Sequence, residues 1–414
     1  MSHGASHPSS GTVRADDRCV SSMINIVCDR IVRGKAYPAL TTHQAEPYTA
    51  AWQEFIDHYP RTVPLELLEY CTEHGVAYNL YTIDNFPANS YYAIHLGFFD
   101  FTVDYIGLLP DAVFDAVRSE RLRILFYYHE GDNPFTIKDR LDTLCAAWGL
   151  PYSVYKFVSG NTAAADIDNF VSFADHELLY YTRNKNEQKI LKTTGSLQRV
   201  FTALNRTHKW WRATAVADLY RRGLLDNSYW SYNTAVTIQD QIQDCPIEID
   251  RLNIRDYLTE FVSKGPYRAD TLTTDQHNDH ALTVEEHYTN SYCNIVFETV
   301  FDADGSGGTF LTEKTFKPIK HGQAFVIAGP AGTLRALRSL GYRTFDSAID
   351  TTYDLIKNNT ERWIALRQVI ESIKHSNLDE FRVKCAADVE HNQRLFLTSK
   401  ADRLNMLFRK IQND

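Results

Sequence analysis

The chain has 414 residues, of which 44% are hydrophobic and 13% aromatic, and its formal net charge is −9. That length exceeds one ordinary domain and suits two α/β domains with filled cores, while the acidic balance speaks against non-specific duplex binding by the whole surface. The seven cysteines are odd in number and scattered without a Cys-x-x-Cys pair, which disfavours a disulfide framework or a zinc site, and no apolar run approaches the length of a membrane span.

Residues 1–22, rich in Ser, His, Gly and Asp, lack the apolar core of a signal peptide and read as disordered, a leader or an artefact of start-site choice, so the expectation is a cytoplasmic protein. The fold is expected to start at Met23, ahead of a strand over Ile24–Cys28. A helix within Pro64–Gly75 carries Leu65, Leu68 and Tyr70, and a strand follows over Val76–Ile83. Arg123–Tyr128 reads as a strand, Ile137–Trp148 as an amphipathic helix, Tyr152–Val158 as a strand and His176–Tyr181 as one more. This alternation predicts a Rossmann-like domain over residues 23–190.

The second domain, residues 191–414, is expected to open on a strand over Val200–Leu204. A helix with Trp210, Trp211, Ala215 and Leu219 follows and stops at Arg222-Gly223. Tyr229–Tyr232 reads as a strand or lip. Two buried strands, Asn294–Phe297 and Phe325–Ala328, flank a loop with Gly305, Gly307 and Gly308 and a short helix from Thr312 that Pro318 interrupts. Gly332 opens a helix with Leu334, Leu337 and Leu340 that Gly341 closes. Asp354–Ile373 and Leu378–Ile411 read as long helices, the first with Leu355, Ile356, Trp363, Leu366 and Ile370 on one face. The fold class expected is α/β, with parallel sheets in both domains.

Open α/β sheets bind ligands beyond the carboxyl ends of their strands, so residues that follow predicted strands are the candidates. Glu298 follows one such strand, and Thr312-Glu313-Lys314 starts the next helix. A carboxylate there can accept hydroxyl hydrogens, and a lysine with helix N-terminal amides can hold phosphates. The competing reading of Glu313-Lys314 is a solvated first helical turn. Arg206 follows the Val200–Leu204 strand, with His208, Lys209 and Arg212 adding positive charge, and Arg206 to Arg222 holds six basic residues if His208 is counted.

In the first domain the loop after Arg123–Tyr128 carries His129, Glu130 and Asp132, any of which could remove a hydroxyl proton; Glu130 is the preferred base. The competing reading makes Asp132-Asn133-Pro134 a helix cap and turn and leaves Glu130 solvated. Asp29, Asp84, Asn85 and His95 are lesser candidates for acceptor contacts. The polar segment 270–286, with His277, His280 and nearby His287, lacks a metal-ligand spacing and reads as a surface loop. Asp302-x-Asp304 lies inside the Gly-rich loop rather than after a strand.

Phe297-Glu298, a loop, Phe310-Leu311-Thr312-Glu313-Lys314, and then an apolar strand ending in Gly329-Pro330 resemble the donor-binding half of the fucosyltransferase-type GT-B glycosyltransferases. Their pattern is Phe-Glu-Asn, aromatic-x-Thr-Glu-Lys and Ala-Gly-x-x-Pro-Val-x-x-Gly. Here Thr299 stands in place of the Asn, and Gln323-Ala324-Phe325 replaces the usual approach to the strand. Leu204-Asn205-Arg206 and Arg222-Gly223-Leu224-Leu225-Asp226 also resemble stretches of glycosyltransferases encoded by tailed phages.

The resemblance implies two Rossmann-like domains facing a cleft, with a terminal helix crossing back to the first domain. It implies a nucleotide-diphosphate sugar as co-substrate and no separate cofactor, with Glu313 on the ribose and Lys314 and Arg206 on the phosphates. Arg212 and Thr312 are secondary donor contacts, and Glu298 stands on the sugar or behind it. Transfer is expected to be inverting and metal-independent, with Lys314 and Arg206 in place of a cation. The acceptor reading put first is a hydroxymethylated pyrimidine in phage DNA; a glycan or small molecule is the alternative. A reading of a different class is a non-catalytic nucleotide or nucleic-acid binder with the same fold. The sequence leaves oligomeric state open.

Overall fold

The computed structural model describes residues 23–28, 30–32, 35–37, 66–97, 99–183, 197–234, 241–268, 283–302 and 305–413. The readings of residues 1–22, Asp29, His277, His280 and Asp304 lie outside the described residues.

Among the described residues the first half is built on strands β1 (Ile24–Cys28), β4 (Tyr78–Thr82), β5 (Ser90–Leu96), β6 (Leu122–Tyr128), β7 (Tyr155–Ser159) and β8 (Phe170–Ser172), with β2 (Arg30–Val32) and β3 (Lys35–Tyr37) forming a separate antiparallel ribbon. Their order in the six-stranded sheet is β4-β1-β5-β6-β7-β8, and every pairing is parallel. The second half holds β9 (Arg199–Asn205), β10 (Tyr229–Tyr232), β11 (Ser291–Phe297) and β12 (Ala324–Ala328) in the parallel order β10-β9-β11-β12. β12, Ala-Phe-Val-Ile-Ala, is buried along its whole length. It reads as a continuous apolar run because helices cover both faces of a parallel sheet.

Each half has its own core, and the first sheet is covered on both faces. Leu404, Leu407, Phe408 and Ile411 of the C-terminal helix Lys400–Gln412 pack with Leu67, Leu68, Tyr70 and Cys71 against one face of the first sheet. Tyr91 Oη donates to the Ile411 carbonyl at 3.0 Å, so the end of the chain is fixed to the central strands.

Several elements differ from those expected. His176–Tyr181 is helical, part of Asp175–Arg183, with Asp175 and Glu177 in its first turn where acidic groups favour a helix start. β5, which was not expected as a strand, lies inside the first sheet and is buried throughout. The helix expected from Asp354 starts at Asn359, because Asn358 caps it by accepting from Glu361 N at 2.9 Å; Leu355 is exposed in a separate turn. Leu378–Ile411 is two helices, Leu378–Thr398 and Lys400–Gln412, that meet at Ser399. Pro318 does not break its helix: Glu313–Lys320 runs through it.

Candidate functional site

Strand order fixes where a ligand can enter. In the first sheet β4 lies on one side of β1 and β5 on the other; in the second, β10 lies on one side of β9 and β11 on the other. Both are points where the winding reverses, and the crevice beyond the carboxyl ends at such a point is the usual ligand site of an α/β sheet. Arg206 and Glu298 follow the two strands that flank the second reversal, and His95 stands near the carboxyl end of β5 at the first.

On the second sheet the segment after β11 is locked to the next helix. Glu298 is fully buried and its carboxylate accepts four hydrogen bonds, from Thr312 N (3.1 Å), Thr312 Oγ1 (2.5 Å), Thr315 Oγ1 (2.5 Å) and Thr299 N (3.2 Å). Its backbone carbonyl accepts from buried Arg212 through Nη2 (2.6 Å) and Nε (3.2 Å). Both side chains therefore shape the site from behind. Thr312 caps the Glu313–Lys320 helix, its Oγ1 accepting from Lys314 N at 3.4 Å. Lys314 Nζ reaches Glu313 Oε1 (2.9 Å), Thr299 Oγ1 (3.2 Å) and Thr312 Oγ1 (3.3 Å), and the Lys314 side chain is 30% exposed. Arg206 is half-buried just past β9.

The basic count between Arg206 and Arg222 does not make a basic face. Arg212 is buried, Arg222 Nε pairs with Asp218 Oδ1 at 2.9 Å, and Arg221 Nη1 donates to the Asn253 carbonyl at 2.7 Å.

On the first sheet the loop after β6 is held by its backbone. Gly160 N donates to the Glu130 carbonyl at 3.0 Å, and Asn161 Nδ2 donates to the Gly131 carbonyl at 3.0 Å. The Glu130 side chain is 40% exposed, and His129 Nε2 lies 3.6 Å from its Oε1. Burial pushes the Glu130 carboxyl above the usual carboxylate range; His176 pulls it down, and Asp132 and Glu313 add to the rise. Asp132 is exposed and accepts from Tyr128 Oη at 2.5 Å, while Asn133 caps the Pro134–Ala147 helix by accepting from Phe135 N at 3.0 Å. The cap and turn reading therefore describes Asn133-Pro134, while Glu130 is partly exposed on the same loop.

The two halves meet at this place. A Cβ added to Gly131 or Gly160 would fall on Phe310, so two bare backbones in the first half make room for the ring from the second. Thr162 N donates to the Thr309 carbonyl (2.9 Å) and Thr309 N to Thr162 Oγ1 (2.8 Å). His176, from the Asp175–Arg183 helix, lies edge-on to Phe310 at 5.1 Å and brings Nδ1 to 3.4 Å from Glu313 Oε2. Glu313 is thus buried between His176 and Lys314, and any ribose contact must share its carboxylate with them.

No family model matches the chain, and no curated protein matches it. Among solved structures, the crystal structure of an alpha1,3-fucosyltransferase is similar to it; the two are 8% identical, the match covers 89% of this chain and 90% of that one, and the TM-score is 0.33. A likeness of that size carries no argument about chemistry. Two parallel α/β sheets that meet through their carboxyl-end loops agree with the α/β class and the pair of Rossmann-like sheets expected from the sequence.

Sequence reasoning missed His176, Phe310 and the Thr162–Thr309 pairing as parts of this site. Asp175, His176 and Glu177 after Ala174 carried the signal of an acidic helix start, which would have placed His176 at a helix N-terminus rather than inside a strand.

Proposed function

We propose that the chain is a nucleotide-sugar-dependent glycosyltransferase with a divided active site. The observation that carries this reading is the convergence of the two carboxyl-end crevices: the Glu130 loop of the first sheet stands against the Thr312–Lys314 helix start of the second, joined through His176 and Phe310. The motif resemblance in Phe310–Lys314 supports it independently.

In this reading the diphosphate of the donor lies at the N-terminus of the Glu313–Lys320 helix, where amides and the helix dipole favour an anion, with Lys314 and Arg206 supplying charge. Glu298 and Arg212 hold that helix start in place. Glu130 takes the proton of the acceptor hydroxyl as its oxygen bonds to the anomeric carbon. The bond from that carbon to the phosphate oxygen breaks, and the nucleoside diphosphate leaves with the charge. One displacement with one base inverts the anomeric centre, and Lys314 with Arg206 stands in for a metal at the leaving group. The acceptor to try first is DNA with a hydroxymethylated pyrimidine, followed by glycans and small hydroxylated molecules.

The test is release of nucleoside diphosphate from a panel of nucleotide sugars, with and without acceptor. Release by the wild type that is unchanged by a chelator is expected. Activity that disappears in chelator and returns only with added magnesium or manganese would contradict the metal-independent step. A folded protein that binds nucleotide and releases nothing would be a binding protein instead.

A further inference from the structure

Three histidines of the first half lead toward the second. His95 Nε2 lies 3.4 Å from His129 Nδ1, the rings of His129 and His176 are 5.9 Å apart, and His176 faces Glu313. His176 is only 7% exposed, and neither ring nitrogen makes a hydrogen bond among the described residues: Nδ1 stands at ion-pair distance, 3.4 Å, from Glu313 Oε2, and Nε2 has no partner. A buried ring nitrogen left without a partner is costly, and such a group calls for a partner beyond the chain, whether water, ion or ligand.

The groups that face His176 come from three elements: Glu313 from the helix of the second half, Glu130 and His129 from the loop after β6, and Asp175 from its own helix, where Asp175 is held by Tyr127 Oη. Burial alone would lower its affinity for a proton, but Glu313, then Glu130 and Asp175, outweigh that and hold the imidazole above its ordinary value.

We propose that His176 is a positioning residue of the nucleotide-sugar site: from the first half it fixes the Glu313 carboxylate of the second through Nδ1, and its Nε2 donates to an oxygen of the bound nucleotide. The proposal rests on the glycosyltransferase reading. Its consequence is that nucleotide capture depends on a residue of the opposite half and on that residue's proton. The imidazolium donates from both nitrogens; once it deprotonates, one of the two bonds is lost. Affinity therefore falls as pH rises through the His176 titration.

Two measurements on the full chain test it. Histidine ring NMR titration without ligand should place His176 above 6.5 and bring it down in Glu313→Gln; a titration indifferent to Glu313 overturns the proposal and leaves the nucleotide reading standing. Calorimetric binding of UDP, GDP, ADP, dTDP and CMP should find at least one ligand. For that ligand His176→Ala should weaken binding by about 10-fold or more at pH 6, and His176→Asn, whose amide replaces Nδ1–H, should recover part of the loss and remove the pH dependence. Equal affinity and an equal pH profile in wild type and His176→Ala overturn the positioning role. Binding of none of the five by folded wild type overturns the nucleotide reading, and the proposal with it.

Discussion

Glu130→Gln is expected to lower sugar transfer by about 10²–10⁴-fold, the usual contribution of a positioned general base, while nucleotide affinity stays close to that of the wild type. Glutamine keeps the shape and hydrogen-bonding reach of the side chain and cannot take the proton. Because Gly160 N and Asn161 Nδ2 hold the backbone at Glu130 and Gly131, the loop has no cause to move. An interaction made only in the transition state lowers kcat and kcat/KM together, and that is the kinetic pattern to look for.

The same substitution has a sign for stability. The folded Glu130 carboxyl sits above its ordinary 4.5, so the folded state binds this proton more tightly than the unfolded chain. As pH rises past about 4.5 the unfolded state releases its proton first, and ionised Glu130 then costs stability at neutral pH. Glu130→Gln should therefore melt at least as high as wild type at pH 7, as expected for a group kept for function. A variant that melts lower and loses nucleotide binding as well would make Glu130 a structural residue.

Glu177→Ala is expected to destabilise the protein by about 3–5 kcal/mol, the cost of leaving a buried partner charge uncompensated. Glu177 is fully buried at the break between the last two helices. Its carboxylate accepts from Lys400 Nζ (2.5 Å), Tyr342 Oη (2.7 Å), Arg403 Nε (3.0 Å) and Ser399 Oγ (3.2 Å). These bonds tie the helix that carries His176 to the start of the C-terminal helix that covers the first sheet. Arg403 keeps the Leu340 carbonyl as a second partner at 2.6 Å, but Lys400, also buried, would lose its counter-charge.

Replacing the pair together, Glu177→Leu with Lys400→Met, should recover much of the loss, since a well-packed apolar pair can substitute for a buried ion pair. The denaturation midpoint reads both outcomes; a single variant as stable as wild type would refute the clamp. Burial alone would raise the Glu177 carboxyl, but Lys400 and Arg403 outweigh it and hold it below its ordinary 4.5. The stabilisation is thus present above about pH 4.5 and is lost as pH falls through the folded value, so the Glu177 variants should differ least from wild type in acid.

The strands with continuous apolar runs, β6, β9, β11 and β12, were legible because parallel strands buried on both faces spell themselves out. β5 was not: Ser-Tyr-Tyr-Ala-Ile-His-Leu mixes polar and aromatic side chains, and only its place between β1 and β6 explains why all seven are buried. His176–Tyr181 failed for the opposite reason, since a short apolar run fits a strand and a buried helix equally well. The positions of Glu130, Glu313 and Lys314 followed from strand ends. Their mutual arrangement did not, because it depends on which loops meet: Gly131 and Gly160 accept Phe310, and His176 reaches Glu313, across long separations in the chain. The inward role of Glu298 was one of two left open, for a carboxylate after a strand reads alike whether it faces ligand or, as here, four donors of its own chain.

The most direct measurement is a thermal-shift screen of nucleoside diphosphates and their sugars on folded wild type and Lys314→Ala. A ligand that binds only the folded state must raise its melting temperature, by an amount equivalent to about 2.7 kcal/mol at one hundred times its dissociation constant. A divided nucleotide-sugar site predicts that at least one compound stabilises the wild type and that Lys314→Ala loses most of the shift. No shift from any of them, or an equal shift in Lys314→Ala, would contradict it.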